Sequence, residues 1–301
     1  MDAIDFKRKK ILVTGGKGFL GEKLCAMLRE HNAEVYCIDT KDCIHDNEFC
    51  VDITDRYAVS ACIQSIQPDI VFHLAALLHR GRGLENFEQI HEVNYVGTVN
   101  LLIALKKYTQ AHVVFTSTSE IYGSKNTPPF TEDMNPDPIS SYSISKILAE
   151  EFVQYFSLIN KNRYTILRLF NFYGVGMPQN FFIPQMMQQL VHAPFFEMTH
   201  GEQVRDFLHV NDVLQALLLA ASHPLAQNET FNVCSGRAEM LRDLVVECKN
   251  VCNSNCEIKF GAIPYREHEI WNMVGNRSKI SRMLGFKPHY DISDYLKELK
   301  P

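Results

Sequence analysis

Ile11-Leu12-Val13-Thr14-Gly15-Gly16-Lys17-Gly18-Phe19-Leu20-Gly21 is the stretch from which the architecture can be read. Residues 11–14 are a short apolar run stopped by glycine, the pattern of a strand buried on both faces. The residues that follow place Leu20, Leu24, Met27 and Leu28 on one stripe of a helix. A strand, a glycine-rich turn and an amphipathic helix make the opening of a dinucleotide-binding unit. Gly15 and Gly18 permit a tight turn and close approach of backbone N–H groups to a pyrophosphate at the positive end of the helix, and Gly21 permits close packing of helix on strand.

Working outward, Glu34-Val35-Tyr36-Cys37-Ile38 is a second strand that ends in Asp39, about the distance at which an acid meets an adenosine ribose. A carboxylate there accepts from the 2′-hydroxyl and repels a 2′-phosphate, which favours NAD over NADP; Lys41 acts against that preference. Val51-Asp52-Ile53 ends a third short strand, with Asp52 placed to accept the adenine amino group. Asp69-Ile70-Val71-Phe72-His73-Leu74-Ala75-Ala76 is a further strand whose small C-terminal residues let a cofactor lie against the backbone. His73 reads as a packed strand residue. A long helix begins near residue 93 with more apolar surface than one sheet contact requires.

The strand His112-Val113-Val114-Phe115-Thr116-Ser117-Thr118 turns polar at its end, and an extended backbone would put Thr118 and Glu120 on one side. In Ser141-Tyr142-Ser143-Ile144-Ser145-Lys146, a phenol and an amine stand four residues apart in the first turn of a helix and share a face. A neighbouring ammonium favours phenolate, so Tyr142 is expected to serve as a base near neutral pH. Beyond the strand at residues 164–169 the elements become shorter and polar loops dominate. The expected fold is α/β, a Rossmann-type doubly wound parallel sheet over residues 1–172 with a smaller, mixed substrate-binding domain over 173–301 and some chain exchange between them.

The 301 residues are 46% hydrophobic, with 30 basic against 35 acidic side chains and a formal charge of -5, which argues against a nucleic-acid or membrane surface. No apolar run or leader pattern marks a span or signal, so a cytoplasmic location is expected. The nine cysteines suit a reducing compartment; Cys248, Cys252 and Cys256 recur every fourth residue without the spacing of a zinc site, so no metal is expected.

These residues together resemble the extended short-chain dehydrogenase/reductases, and within them the nucleotide-sugar epimerases and dehydratases. The carriers are residues 14–21, Asp39, His73-Leu74-Ala75-Ala76, residues 116–123, Tyr142 with Lys146, Leu167-Arg168-Leu169-Phe170-Asn171, residues 205–213 and residues 231–236. The resemblance implies a nucleotide-sugar enzyme that holds NAD and works through a 4-keto sugar. Thr118 would fix the substrate hydroxyl, Tyr142 would take its proton, and Lys146 would lower the tyrosine pKa and bind the nicotinamide ribose. Gly15, Gly18, Phe19, Leu20, Asp39, Asp52, Ile53, Leu74, Ala75, Ala76 and Phe170 would complete the cofactor site. Asn171, Arg205 and Arg266 would meet the nucleotide diphosphate, and the helices near residues 94–106 and 142–158 would form a four-helix homodimer contact.

For the reaction, a 4-epimerase is the leading expectation. Glu120 leaves open a 4,6-dehydratase or a glucuronate decarboxylase, although dehydratases carry aspartate where Ser119 stands. A 4-keto-sugar reductase and a cofactor-sensing binding protein complete the alternatives. Cys234 and His268 stand where the family often has glycine, and Asn276 where it has aspartate.

Overall fold

The computed structural model describes residues 4–41, 43–78, 84 and 86–299. In chain order the first elements are β1 (Lys10–Thr14), α1 (Phe19–Glu30), β2 (Glu34–Asp39), β3 (Glu48–Cys50), α2 (Arg56–Ile66), β4 (Ile70–His73), α3 (Phe87–His91), α4 (Gly97–Tyr108), β5 (His112–Thr118), α5 (Ser141–Asn160) and β6 (Tyr164–Leu169). There follow β7 (Asn171–Tyr173), α6 (Phe182–His192), β8 (Phe195–Met198), β9 (Val204–Arg205), β10 (Phe207–His209), α7 (Val210–Ser222), β11 (Glu229–Val233), β12 (Glu239–Met240), α8 (Leu241–Val251), β13 (Glu257–Phe260), β14 (Asn272–Met273), α9 (Ser278–Leu284) and α10 (Ile292–Glu298).

Strand periodicity builds two cores on opposite faces of one sheet. Ile11 and Val13, Ile70 and Phe72, Val114 and Leu167 enter one core with α1, α7 and α9. The alternate residues Leu12, Val71, Val113, Phe115 and Ile166 enter the other with α2, α4 and α5. Burial on both faces is why these strands read as continuous apolar runs rather than alternating ones. Each fully buried branched side chain contributes about 1.5–3 kcal/mol. All six strand pairings are parallel and the order is β11-β6-β5-β4-β1-β2-β3.

The order reverses between β1 and β4, where Thr14 and His73 are register partners. Ligands of such sheets bind in the crevice beyond this switch point. The chain also crosses between lobes: β11, α7 and α9 complete the first sheet although they follow β7–β10 in sequence. The second lobe packs α6, α8, β8 and β13 around Ile183, Met186, Leu244 and Phe196.

Between α3 and α4 the helix is a π turn over Glu92–Val96, so the long helix expected from residue 93 runs through a wide turn. On α4 and α5 an apolar stripe stays uncovered: Ile103, Ile144, Leu148, Tyr155, Leu158 and Ile159 are 37–80% exposed.

A buried ion pair joins α5 to β6. Arg168 Nη2 donates to Glu150 Oε2 at 2.9 Å, and both residues are at most 6% exposed. Arg168 Nη1 also donates to the Tyr122 hydroxyl at 3.0 Å and the Glu132 carbonyl at 3.1 Å. Tyr122 in turn donates to Asn232 Oδ1 at 2.7 Å. Removing one partner strands the other charge in the core, so Glu150→Ala should lower stability by about 3–5 kcal/mol, read from the urea midpoint. A loss below 1 kcal/mol, on the scale of a surface pair, would contradict this.

Candidate active site

Backbone, more than side chains, shapes the rim of the crevice. Gly15 has φ +72°, and a Cβ there would sit 2.8 Å from Ala75 N. A Cβ on Gly21 would sit 2.2 Å from Gly15 O, so strand, turn and α1 touch without side chains between them. α1 starts after Gly18 with no side-chain cap, leaving its first N–H groups and its positive end for an anion. The arrangement fits a dinucleotide pyrophosphate, with Phe19 and Leu20 supplying those N–H groups.

The switch point is held by hydroxyls. Thr98 Oγ1 donates to Asn94 O at 2.6 Å, so it accepts from His73 Nε2–H at 2.9 Å. His73 Nδ1 therefore accepts from Thr14 Oγ1 at 2.6 Å, and Thr14 Oγ1 accepts from Ala75 N at 3.2 Å. Burial, with Lys146 nearby, pushes the His73 imidazole down to about 3 and keeps it neutral. Leu74 N donates to Thr14 O, and Ala76 is exposed on the rim. Asp39 closes β2 and accepts from Lys17 N at 2.9 Å and Lys41 N at 3.1 Å. Asp52 is exposed and accepts from Thr54 N and Oγ1 through Oδ1. Ile53 is buried against Gly97.

α5 is fixed at its start by a capping box between Ser140 and Ser143. Ser145 Oγ donates to Tyr142 O at 2.8 Å, and Asn94 Nδ2 donates to Ser145 Oγ at 3.0 Å. Asn94 also exchanges two hydrogen bonds with the Leu77 backbone, at 2.7 and 3.0 Å. It ties the rim to the helix that carries Tyr142 and Lys146. Its position in the π turn went unread because the segment has ordinary helical periodicity; a buried amide in an apolar stripe was the available signal.

Thr118 ends β5, and its Oγ1 accepts from Glu120 N at 3.2 Å because Ser119–Tyr122 is a 3₁₀ turn. Thr118 and Glu120 are thus neighbours through a turn and not through the extended alternation expected. Ser140 Oγ donates to Glu120 Oε2 at 3.3 Å. Burial, then the Glu120 carboxylate, raises the Tyr142 phenol well above its ordinary value.

The spacing-based expectation that Lys146 sets a low tyrosine pKa differs from this geometry. Lys146 is 2% exposed, with Nζ 4.3 Å from the Phe115 ring centroid. Its own ammonium is the destabilised group: burial pushes it down to about 7, with Glu150 opposing.

In the second lobe Asn171 opens β7, with Nδ2 3.9 Å from Met273 Sδ. Ser119 Oγ donates to the same sulfur at 3.1 Å. The Phe170 ring lies in a buried cluster with Tyr122, Phe130 and Cys234. The two arginines fare differently. Arg205 Nη2 pairs with Glu269 Oε1 at 3.0 Å, whereas Arg266 is exposed. His268 has φ +56°, a left-handed conformation that glycine adopts freely, beside Glu269.

A lysine whose folded pKa lies below its unfolded value of 10.5 binds fewer protons folded than unfolded between the two values. Stability in the ligand-free protein should therefore rise between pH 7 and pH 10, relative to Lys146→Met, by up to about 1.4 kcal/mol per pH unit. Urea unfolding of the two proteins across that window measures it, and parallel pH profiles would show that Lys146 is not held in its neutral form.

A sequence model of the NAD dependent epimerase/dehydratase family matches residues 11–234. GDP-6-deoxy-D-talose 4-dehydrogenase of Aggregatibacter actinomycetemcomitans is 32% identical over 92% of this chain and 91% of its own. A putative UDP-glucose 4-epimerase of Methanocaldococcus jannaschii is 29% identical over 96% of each. The crystal structure of UDP-glucose 4-epimerase from Thermotoga maritima, determined with UDP-glucose, superposes with a TM-score of 0.89 at 27% identity and 96% coverage of both chains. The chain therefore belongs to the NAD dependent epimerase/dehydratase family, the nucleotide-sugar branch of the extended short-chain dehydrogenases that its motifs resemble, and it is an NAD-dependent enzyme.

Proposed function

We propose that the protein is a nucleotide-sugar 4-epimerase that works through a 4-keto sugar. One observation carries the choice among family reactions: Ser119, at the position where the resembling dehydratases have aspartate, turns its hydroxyl onto Met273 Sδ. No acid is placed there for a leaving hydroxyl. Epimerisation requires none.

In this reading NAD binds along Gly15, Gly18, Asp39 and Ala75, where it supplies a reversible hydride acceptor and a cationic ring. Tyr142 Oη takes the proton of the sugar 4-hydroxyl, which Thr118 Oγ1 holds in line. The ring charge of bound cofactor and the Lys146 ammonium would favour phenolate, against the burial and the Glu120 charge that raise the phenol. After the keto sugar presents its other face, Tyr142 returns the proton to the oxygen. Asn171 and Arg205 reach the diphosphate, with Glu269 orienting the Arg205 guanidinium. Arg266, exposed on the same segment, is the second diphosphate contact.

We assign residues 1–172 to the cofactor lobe and 173–301 to the nucleotide-sugar lobe, with β11, α7 and α9 crossing back. The enzyme works in the cytoplasm, in keeping with nine free thiols and with the absence, among the described residues, of a helix long and apolar enough to span a membrane. It forms a homodimer through the uncovered stripe on α4 and α5, which supports a four-helix contact.

A second reading is oxidation whose product does not return as an epimer: release of the keto sugar with reduced cofactor, which the 4-dehydrogenase relative supports, or elimination or decarboxylation of the keto sugar with Glu120 as acid/base. Purified protein incubated with UDP-, GDP-, CDP- and dTDP-hexoses separates the two. Epimerisation yields an isomer of unchanged mass without net NADH; a lighter product, carbon dioxide or stoichiometric NADH would support the second reading. Tyr142→Phe should lower kcat by about 10²–10⁴-fold, while Glu120→Gln should leave epimer formation nearly intact. For the dimer, Leu148→Asp should halve the mass seen by light scattering, and an unchanged mass would place the contact elsewhere.

A further inference from the structure

The two lysines beside Asp39 both have their ammonium groups engaged within the protein. Lys17 and Lys41 donate their backbone N–H groups to opposite oxygens of the Asp39 carboxylate. Their side chains therefore start next to the position of an adenosine 2′-hydroxyl, where a free ammonium would suit a 2′-phosphate. Lys41 Nζ instead donates to the Lys17 carbonyl at 2.7 Å. Lys17 Nζ forms an ion pair with Glu48 Oε1 at 2.5 Å, with side-chain exposures of 19% and 7%.

Glu48 is itself fixed. Its Oε2 accepts from Ile44 N at 2.9 Å and from His45 N at 3.3 Å, which sets the carboxylate against the glycine turn. The Lys17 ammonium, followed by the Ile44 N–H, holds the Glu48 acid down at about 2. The pair borders a cavity of about 580 Å³ that also receives Glu22, Arg29 and Asp46. Space for a phosphate exists there, but three carboxylates face two cations.

We propose that Glu48 is a cofactor-selectivity residue: by holding the Lys17 ammonium it denies a 2′-phosphate that cation and completes the exclusion of NADP that Asp39 begins. The inference rests on the reading that Asp39 holds the adenosine ribose. Selectivity is then divided between a carboxylate facing the 2′ position and a second carboxylate that neutralises the lysine beside it. Glu48 sits on β3, in register with neither glycine nor acid of the usual fingerprint; its Cα partner is Cys37. Only the fold brings it to the turn.

The test is fluorescence titration of NADH and NADPH against the full chain. Glu48→Gln keeps a carbonyl oxygen for the Ile44 and His45 N–H groups while freeing Lys17. NADPH should bind about tenfold tighter, with NADH within about twofold of wild type. Adding Lys17→Met should abolish the gain. Unchanged NADPH affinity in Glu48→Gln, or a gain that survives Lys17→Met, would overturn the proposal. If Glu48→Gln loses NADH binding as well, Lys17→Met alone decides: it leaves an unpaired carboxylate and should weaken NADPH with NADH little changed, and equal or tighter NADPH binding would count against Glu48. Asp39→Ala checks the reading beneath: should it leave NADH affinity untouched, the ribose assignment fails, whatever Glu48 does.

Discussion

The buried pair between Arg168 and Glu150 is the interaction on which the working parts of this fold depend. Two opposite charges at 2.9 Å, each almost out of water, stabilise the structure only where their remaining hydrogen-bonding capacity is used. Here Arg168 also reaches Tyr122 and the Glu132 carbonyl, and Asn232 receives the Tyr122 hydroxyl. Five separate segments are thereby joined: helix α5, strand β6 leading to Asn171, the turn after Thr118, the loop at Glu132, and β11. A hydrophobic substitute of similar volume would fill the space, but it would not specify the rotation of α5 about its axis. Tyr142 and Lys146 lie on that helix two turns and one turn before Glu150, so their orientation follows from where Glu150 is held.

The same pair shapes the electrostatics of the relay. Lys146 sits four residues before Glu150, the one carboxylate that favours its charge, while burial disfavours it and the Phe115 ring receives the ammonium. Burial and Glu120 thus bias Tyr142 toward its phenol, and burial biases Lys146 toward its neutral amine. A cation bound beside the phenol would stabilise the phenolate.

Much of this was legible in the sequence. The glycine turn, Asp39 at the end of β2 and the two-face burial of the central strands follow from periodicity and from the sparse chemistry of glycine. What escaped reading shares one cause, a dependence on backbone path between distant segments. Thr118 and Glu120 are related by a 3₁₀ turn rather than by strand alternation. Asn94 acts from a π turn that leaves side-chain periodicity unchanged. Arg205 and Arg266 are the same residue type in polar stretches, yet one ends β9 and is oriented by Glu269 while the other is exposed. Glu48 meets Lys17 across β2. A spacing rule describes neighbours along one element, and each of these relations crosses between elements.

Where the segment after β14 packs against Cys234 and Phe170, the fold leaves little freedom. A Cβ on Gly275 would lie 2.6 Å from Cys234 Sγ and 2.7 Å from the Phe170 ring, so this backbone must run against both. The bonds from Phe130 N to Val274 O, and from Asn276 N to Phe130 O, hold it there. Two residues earlier, Met273 presents its sulfur to Ser119 and Asn171. The larger Cys234, at a position where relatives often carry glycine, is accommodated because residue 275 has no side chain. Met273 is thereby held between the turn after Thr118 and Asn171. Core packing and the surroundings of Ser119 are thus coupled: replacing Met273 also releases the Ser119 hydroxyl.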